Sequence, residues 1–136
     1  MATPPPPAPA SPPPKRAALT ILLVDDDDDM ATALARLLER AGHVVHRSRS
    51  GSEAIGVAGA TASLDAAVVD LVLPGAGGLE VVREIRAAHP RCRIVGVTGF
   101  GARSLPEAFR RAGADVFLTK PVERDALLRA VSGTGE

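Results

Sequence analysis

The alternation of short apolar runs with helical patterns is the feature that most constrains the fold of this chain. Residues 19–24 form a continuous apolar run that ends in acids, which is typical of a strand buried on both faces. Apolar residues at helical spacing follow from Met30 to Ala41, and Gly42 is placed to end that helix. The same order recurs four more times, with strands predicted at 43–47, 65–69, 93–97 and 116–119 and helices around 50–60, 79–89, 105–112 and 127–131.

Five such units in a row predict an α/β fold. We expect a (βα)5 doubly wound parallel five-stranded sheet with helices on both faces. Apolar residues make up 46% of the 136 residues, which is enough for the core of one domain. In sheets of this kind ligands bind beyond the carboxyl ends of the strands, so the residues that follow the strands are the candidates for function.

The N-terminal segment differs in composition from the rest of the chain. Residues 1–14 are almost entirely Pro, Ala, Ser and Thr, and proline cannot donate to helices or sheet ladders. We therefore expect a disordered Pro-rich tail over residues 1–17, a folded domain over 18–132 and a short C-terminal tail over 133–136. The Pro-rich tail is interpreted as a linker, as a ligand for a Pro-binding module or as a solubilising leader.

Charge and composition argue against several classes of function. The 16 basic and 16 acidic residues balance, so no global charge favours nucleic acid or a membrane surface. Aromatic residues make up 2% of the chain, with no Trp or Tyr, which nearly excludes base-stacking platforms for single-stranded nucleic acid. The N-terminus lacks the order of a secretory signal, and no apolar run is long enough to span a bilayer. Since the single cysteine, Cys92, cannot form an internal disulfide, we expect a cytoplasmic protein.

Side chains suited to phosphoryl chemistry follow four of the five predicted strands. Asp25 and Asp26 follow the first strand and Asp70 follows the third, while Thr98 and Lys120 follow the fourth and fifth. Clustered carboxylates raise one another's pKa, and a hard cation such as Mg²⁺ relieves that repulsion. A metal, an ammonium and a hydroxyl can bind the three phosphoryl oxygens, and a carboxylate nucleophile gives an acyl phosphate. Each residue alone has a structural explanation as a cap, turn former or surface group, but their joint order predicts a phosphoryl site.

These segments resemble the receiver domain of response regulators over nearly all of residues 18–131. Residues 21–26 match the first strand and acidic pair of that family, and residues 65–75 match its phosphorylation-site segment. Residues 97–99 match the switch Thr/Ser segment, and residues 113–121 match the fifth strand with its Lys-Pro motif. The resemblance implies a flavodoxin-like form of the predicted fold, and its details are most similar to receiver modules of hybrid sensor kinases.

The resemblance also implies a role for each matched polar group. Asp70 would be the phosphoacceptor, taking the phosphoryl group from a histidine kinase or a histidine phosphotransfer protein. Asp25, Asp26 and Asp70 would hold Mg²⁺ together with the backbone carbonyl of Val72. Lys120 would contact the phosphoryl oxygens. Asp28 and Asp29, which complete the run of five acids, are expected to cap the following helix instead.

A second group of residues would carry the signal away from the site. The resemblance implies that Thr98 moves to bond a phosphoryl oxygen and that Phe117 is the aromatic rotamer switch. Pro121 is expected to follow a cis peptide bond, which X-Pro sequences tolerate. The surface formed by the fourth helix, fifth strand and fifth helix would then change shape for a downstream protein partner that the sequence does not name. Direct binding to nucleic acid or membrane is not expected.

Several positions depart from the common pattern of the family. Gly77 stands where an Asp is frequent, Gly99 replaces the usual Ala, and Gly96 lies inside the fourth strand, where we expect it to weaken packing. Val72 and Phe100 lie two positions beyond the phosphoacceptor and the switch threonine, where the family places residues beside the hydrolytic water. Both are apolar here, which predicts slow self-dephosphorylation, although simple packing also explains them.

Two other functions compete with this interpretation. A small haloacid-dehalogenase-like phosphohydrolase would use Asp25 as the nucleophile in an Asp-x-Asp motif, but no second acidic pair follows Lys120 and no room is left for a substrate cap. A dinucleotide-binding module is set aside because the glycines around Gly75 do not form its fingerprint. Residues 132–136 are too few for a DNA-binding output domain, so we expect a stand-alone regulator, a relay intermediate or a domain of a hybrid kinase.

Overall fold

The computed structural model describes residues 18–73, 77–99 and 105–133. The described residues form five strands and five helices in strict alternation, which confirms the predicted α/β fold. The strands are β1 (Thr20–Val24), β2 (Val44–Ser48), β3 (Ala66–Asp70), β4 (Arg93–Thr98) and β5 (Val116–Thr119). The helices are α1 (Asp28–Arg40), α2 (Gly51–Ala60), α3 (Gly78–Ala88), α4 (Leu105–Ala112) and α5 (Arg124–Ser132).

All strands belong to one sheet, in the order β2-β1-β3-β4-β5. Every neighbouring pair is parallel. The order reverses at β1, so the loops after β1 and β3 leave the sheet on either side of a crevice at its carboxyl edge. Such a switch point is where open parallel sheets bind their ligands.

The three central strands, β1, β3 and β4, are largely buried because helices cover both faces of the sheet. In β1, Leu22 and Val24 belong to the apolar cluster covered by α2, α3 and α4. Ile21 and Leu23 belong to the cluster on the other face, which α1 and α5 cover. All residues of β3 are buried. The central strands therefore form a rigid support for the residues that follow them.

Three residues of the acidic run after β1 form the start of α1. The N-cap of α1 is Asp27, whose Oδ1 accepts hydrogen bonds from the backbone N–H groups of Asp29 and Met30 at 3.0 and 3.2 Å. Asp28 and Asp29 lie in the first turn of α1, where negative charge stabilises a helix. The expectation that these two acids cap the helix is corrected in one respect, since the capping side chain is that of Asp27.

The amino ends of β4 and β5 are joined by one arginine. The Arg86 guanidinium on α3 donates to the carbonyl oxygens of Pro90 and Cys92 at 2.8 and 2.7 Å, and to that of Gly113. It also pairs with Asp115 at 2.8 Å. This network fixes α3 against the loops that precede the two strands.

The glycine in β4 does not weaken the strand as expected. A Cβ on Gly96 would lie 2.9 Å from side-chain carbons of both Leu71 and Phe117. The absence of a side chain therefore lets these two residues pack directly against the β4 backbone, which corrects the expectation from the sequence.

Three expectations fall wholly or largely outside the described residues. These are the Pro-rich tail over 1–17, the C-terminal tail, of which only residue 133 is described, and the position of Phe100. Within the described part of the chain, no helix is both long enough and apolar enough to cross a membrane.

Candidate phosphoryl and metal site

Four strands bring the candidate residues to one edge of the sheet. Asp25 directly follows β1, and its backbone N–H donates to the Ser48 carbonyl at 3.1 Å. Asp70 is the last residue of β3 and pairs in register with Val97 of β4. Thr98 is the last residue of β4. The parallel register thus places these groups side by side, as the order of the motifs predicts.

Three carboxylates form a tight cluster at this edge. Carboxylate oxygens of Asp25, Asp26 and Asp70 all lie within 4.8 Å of one another. The side chains of Asp25 and Asp70 are buried, and that of Asp26 is exposed. The cluster therefore has two desolvated acids at its base and one acid that faces solvent.

The electrostatics of Asp25 reflect this crowding. Burial raises the pKa of its carboxyl above the ordinary value of 3.8. The backbone N–H of Asp27 donates to Asp25 Oδ1 at 2.9 Å and acts in the opposite direction, as does the charge of Lys120. The neighbouring charges of Asp70 and Asp26 raise the pKa further. The folded protein thus holds a carboxylate here at an energetic cost.

Asp70 is held through both of its carboxylate oxygens. Its Oδ1 accepts a hydrogen bond from the backbone N–H of Val72 at 2.9 Å. Its Oδ2 accepts one from Lys120 Nζ at 3.0 Å. Burial acts to lower the pKa of Lys120, but the hydrogen bond to Asp70 and the charges of the surrounding acids outweigh it, so the pKa is raised. Lys120 is therefore a charged donor aimed at the Asp70 carboxylate.

The strand-end backbone fixes where Lys120 lies. Its N–H donates to the carbonyl of Thr98 at 2.9 Å, which extends the β4–β5 ladder past the end of β5. The peptide bond between Lys120 and Pro121 is cis. Thr98 is buried. The ammonium and the Thr98 hydroxyl group thus come from two adjacent strand ends.

The donor set fits Mg²⁺. Carboxylate oxygens are the ligands that this hard cation takes in proteins, and a divalent charge offsets the repulsion among Asp25, Asp26 and Asp70. The Val72 carbonyl as a further ligand stays a prediction. Val72 lies two residues after Asp70 along the chain and is 64% exposed.

Gly78 is a contributor that the sequence reasoning did not identify. A Cβ on Gly78 would lie 2.9 Å from the Asp70 carbonyl oxygen and 3.1 Å from Leu71 Cα. Since this space is closed by backbone, α3 can begin directly against the Asp70 segment only with glycine there. The pair Gly77-Gly78 directly before a helical pattern is the signal in the sequence for this close approach.

Comparison with known proteins gives a consistent result. A family model described as the response regulator receiver domain matches residues 21–132. The photosynthetic apparatus regulatory protein RegA of Cereibacter sphaeroides is 38% identical over 103 residues, which are 76% of this chain and 55% of RegA. The sensory/regulatory protein RpfC of Xanthomonas campestris is 40% identical over 99 residues, 70% of this chain and 14% of RpfC. The chain thus spans about half the length of RegA and a small part of RpfC.

Solved structures show the same architecture. The receiver domain of the sensor histidine kinase PA1611 from Pseudomonas aeruginosa, with a magnesium ion coordinated in its active site cleft, is 30% identical, with a TM-score of 0.77. The aligned region covers 86% of this chain and 97% of that one. A response regulator from Burkholderia pseudomallei with a phosphorylated aspartic acid and a calcium ion is 32% identical, with a TM-score of 0.78, covering 83% of this chain and 66% of that one. None of these matches supports the haloacid-dehalogenase alternative.

Proposed function

Because the chain belongs to the response regulator receiver family, whose members are phosphoacceptor domains of two-component signalling, we propose that Asp70 is its phosphoacceptor. The observation that carries this assignment is the Lys120–Asp70 contact of 3.0 Å inside the cluster of three acids. Asp25 is less suited to the role, because among the described residues the ion pair of Lys120 is with Asp70 and not with Asp25.

The proposed reaction transfers a phosphoryl group between two side chains. Receiver domains take it from histidine kinases or histidine phosphotransfer proteins. A carboxylate oxygen of Asp70 forms a bond to phosphorus while the phosphorus–nitrogen bond of the donor phosphohistidine breaks, and the imidazole leaves with the electron pair. Bound Mg²⁺, held by Asp25, Asp26 and Asp70, would neutralise charge on the phosphoryl oxygens.

The chain's own residues would supply the rest of the site. Lys120 carries an ammonium whose raised pKa keeps it protonated, so it can donate to a phosphoryl oxygen close to Asp70. The Thr98 hydroxyl would bond another phosphoryl oxygen, and the side chain of Phe117 on β5 would change its rotamer in response. Since these groups all belong to this chain, we propose that the domain catalyses its own phosphorylation and dephosphorylation. Because histidine donors draw phosphate from ATP, we place the domain in the cytoplasm.

The test is phosphorylation by a small-molecule donor. Wild-type protein incubated with acetyl phosphate and Mg²⁺ should gain the mass of one phosphoryl group, and Asp70→Asn should not. Asp125→Asn, which removes an exposed acid from the first turn of α5, is the matched control and should behave like wild type. Peptide mapping after borohydride reduction locates the acyl phosphate. A label on Asp25 would instead establish the hydrolase chemistry.

A further inference from the structure

The Phe117 ring lies against a bare stretch of β4. Gly96 and Phe117 are partners in the β4–β5 register. A Cβ on Gly96 would lie 2.9 Å from ring atom Cδ1 and 3.1 Å from ring atom Cε1. Since a real Cβ essentially never has a neighbour within 3.0 Å, the ring occupies space that exists because residue 96 is glycine. We call this space, bounded by Gly96 and by Leu71 Cδ2, the glycine hollow.

A charge on α4 bounds the same ring. Arg110 Cζ lies over the Phe117 ring, 5.4 Å from its centroid, which is cation–π geometry. The neighbouring Arg111 pairs instead with Glu107, one turn earlier on the helix. Phe117 therefore touches the β4 backbone and a guanidinium of α4, so it links the strand that ends at Thr98 to the surface of that helix.

We propose that Gly96 and Arg110 are positioning residues that hold the Phe117 ring in its resting place, from which phosphorylation displaces it. The inference rests on the proposed function, because it takes Phe117 as the responding aromatic residue. Thr98 follows Gly96 by two residues on the same strand. A rearrangement at Thr98 reaches the ring through β4 and reaches α4 through Arg110.

Loss of the resting contacts then has a definite thermodynamic sign. A change that destabilises the resting position raises the population of the displaced state, and a ligand that prefers the displaced state binds more tightly. A cation–π contact at an exposed site corresponds to a factor of about two to five in an equilibrium constant. A methyl group on Gly96 closes the hollow and acts in the same direction.

The experiment uses the full chain with fluorinated phenylalanine. The chain has three phenylalanines, and Phe117→Ala assigns the Phe117 resonance. Gly96→Ala and Arg110→Gln should each shift that resonance without any phosphoryl group. Each should also tighten binding of beryllofluoride with Mg²⁺, an acyl phosphate mimic, by about two- to five-fold. Gly59→Ala adds a methyl group where no atom lies within 4 Å and should change neither quantity.

The two variants and a double-mutant cycle separate positioning from a general effect on the fold. In a Phe117→Ala background, Gly96→Ala should no longer change the affinity for beryllofluoride, and a persistent effect would overturn the inference. Arg110→Gln alters an exposed helix surface and keeps the test decisive if Gly96→Ala does not fold. If wild type binds the mimic but the variants leave the Phe117 resonance unchanged, the positioning role is refuted and the proposed function stands. The same holds if the variants bind the mimic more weakly than wild type. A wild-type chain that binds no mimic would overturn the proposed function as well.

Discussion

Removing the charge of Asp25 should stabilise the metal-free protein. Asp25 is 2% exposed and lies in a cluster with two other carboxylates. In Asp25→Asn, the side-chain oxygen can still accept the hydrogen bond from the Asp27 backbone, but the buried negative charge is gone. The variant therefore relieves both the cost of burying the charge and its repulsion with Asp70.

The magnitude follows from the spacing of the charges. Two unit charges 4.8 Å apart, the upper limit of the cluster spacing, repel with about 3.5 kcal/mol at an effective dielectric constant of 20. The attraction between Asp25 and Lys120 cancels part of this energy. We expect the free energy of unfolding to rise by about 1–2 kcal/mol in Asp25→Asn without divalent cations.

The assay is urea unfolding with and without Mg²⁺. A ligand that binds only the folded protein stabilises it by about 2.7 kcal/mol at a concentration 100 times its Kd. Wild type should show such a gain with Mg²⁺, and Asp25→Asn should lose most of it, so the order of stabilities reverses. Asp29→Asn removes an exposed acid from the first turn of α1 and should destabilise slightly, by about 0.3–1 kcal/mol, with no effect on Mg²⁺.

The pH dependence has a sign that the same experiment checks. Because the folded pKa of Asp25 is raised above 3.8, the folded protein binds that proton more tightly than the unfolded chain. The stability from protonated Asp25 is present below pH 3.8 and is lost as the pH rises through the folded pKa. The advantage of Asp25→Asn should therefore grow with pH across this interval. A variant less stable than wild type in metal-free buffer at neutral pH would refute the reasoning.

Three further perturbations test other parts of the structure. Arg86→Lys cannot reproduce the forked contacts to Pro90, Cys92, Gly113 and Asp115, so urea unfolding should show that the free energy of unfolding falls by about 2–3 kcal/mol. Arg83 lies on the exposed face of α3, and an equal loss in Arg83→Lys would contradict a specific network at Arg86. Gly78→Ala forces α3 away from the Asp70 backbone, so it should lower the free energy of unfolding by about 1–3 kcal/mol and slow phosphorylation by acetyl phosphate. Gly56→Ala adds its methyl group where no atom is near, so it should neither lower the stability nor slow the reaction. Val72→Asn places a hydrogen-bonding group near Asp70 and should shorten the acyl phosphate lifetime about five-fold. That factor corresponds to about 1 kcal/mol, the contribution of one hydrogen bond to the attacking water. A lifetime equal to that of wild type would show that Val72 only packs.

The pattern of apolar runs was enough to predict the fold class, because short apolar runs that alternate regularly with helical patterns are typical of a parallel sheet covered by helices. The sequence also predicted that the residues after β1, β3 and β4 lie together, since parallel strands end at one edge of the sheet. Contacts that depend on the distance between neighbouring strands and helices could not be predicted. The hollow at Gly96 and the approach of Gly78 to Asp70 arise from how closely neighbouring backbones and side chains pack, and a glycine in sequence does not say what lies beside it.

Which aspartate of the acidic run caps α1 was equally hard to predict. Five consecutive aspartates have the same side chain, and only the start of α1 decides which of them caps. With the helix beginning at Asp28, Asp27 becomes the N-cap, and its own N–H then turns back to Asp25 Oδ1. A shift of one residue in that boundary would exchange the roles, so the assignment belongs to tertiary packing of α1 and not to composition.

The same electrostatics that oppose folding at this edge of the sheet make it suited to phosphoryl transfer. Asp25 and Asp70 are buried near each other, and within the described residues the Lys120 ammonium is the cation in direct contact with the cluster. One positive charge does not balance three carboxylates, so a divalent cation gains affinity from the repulsion that it relieves. Adding a phosphoryl group brings further negative charge to a place where Lys120 and a metal can both contact it. Asp70 ends the fully buried β3 and Asp25 directly follows the neighbouring β1, so these paired strands hold the two acids in an unfavourable arrangement that ligand binding relieves.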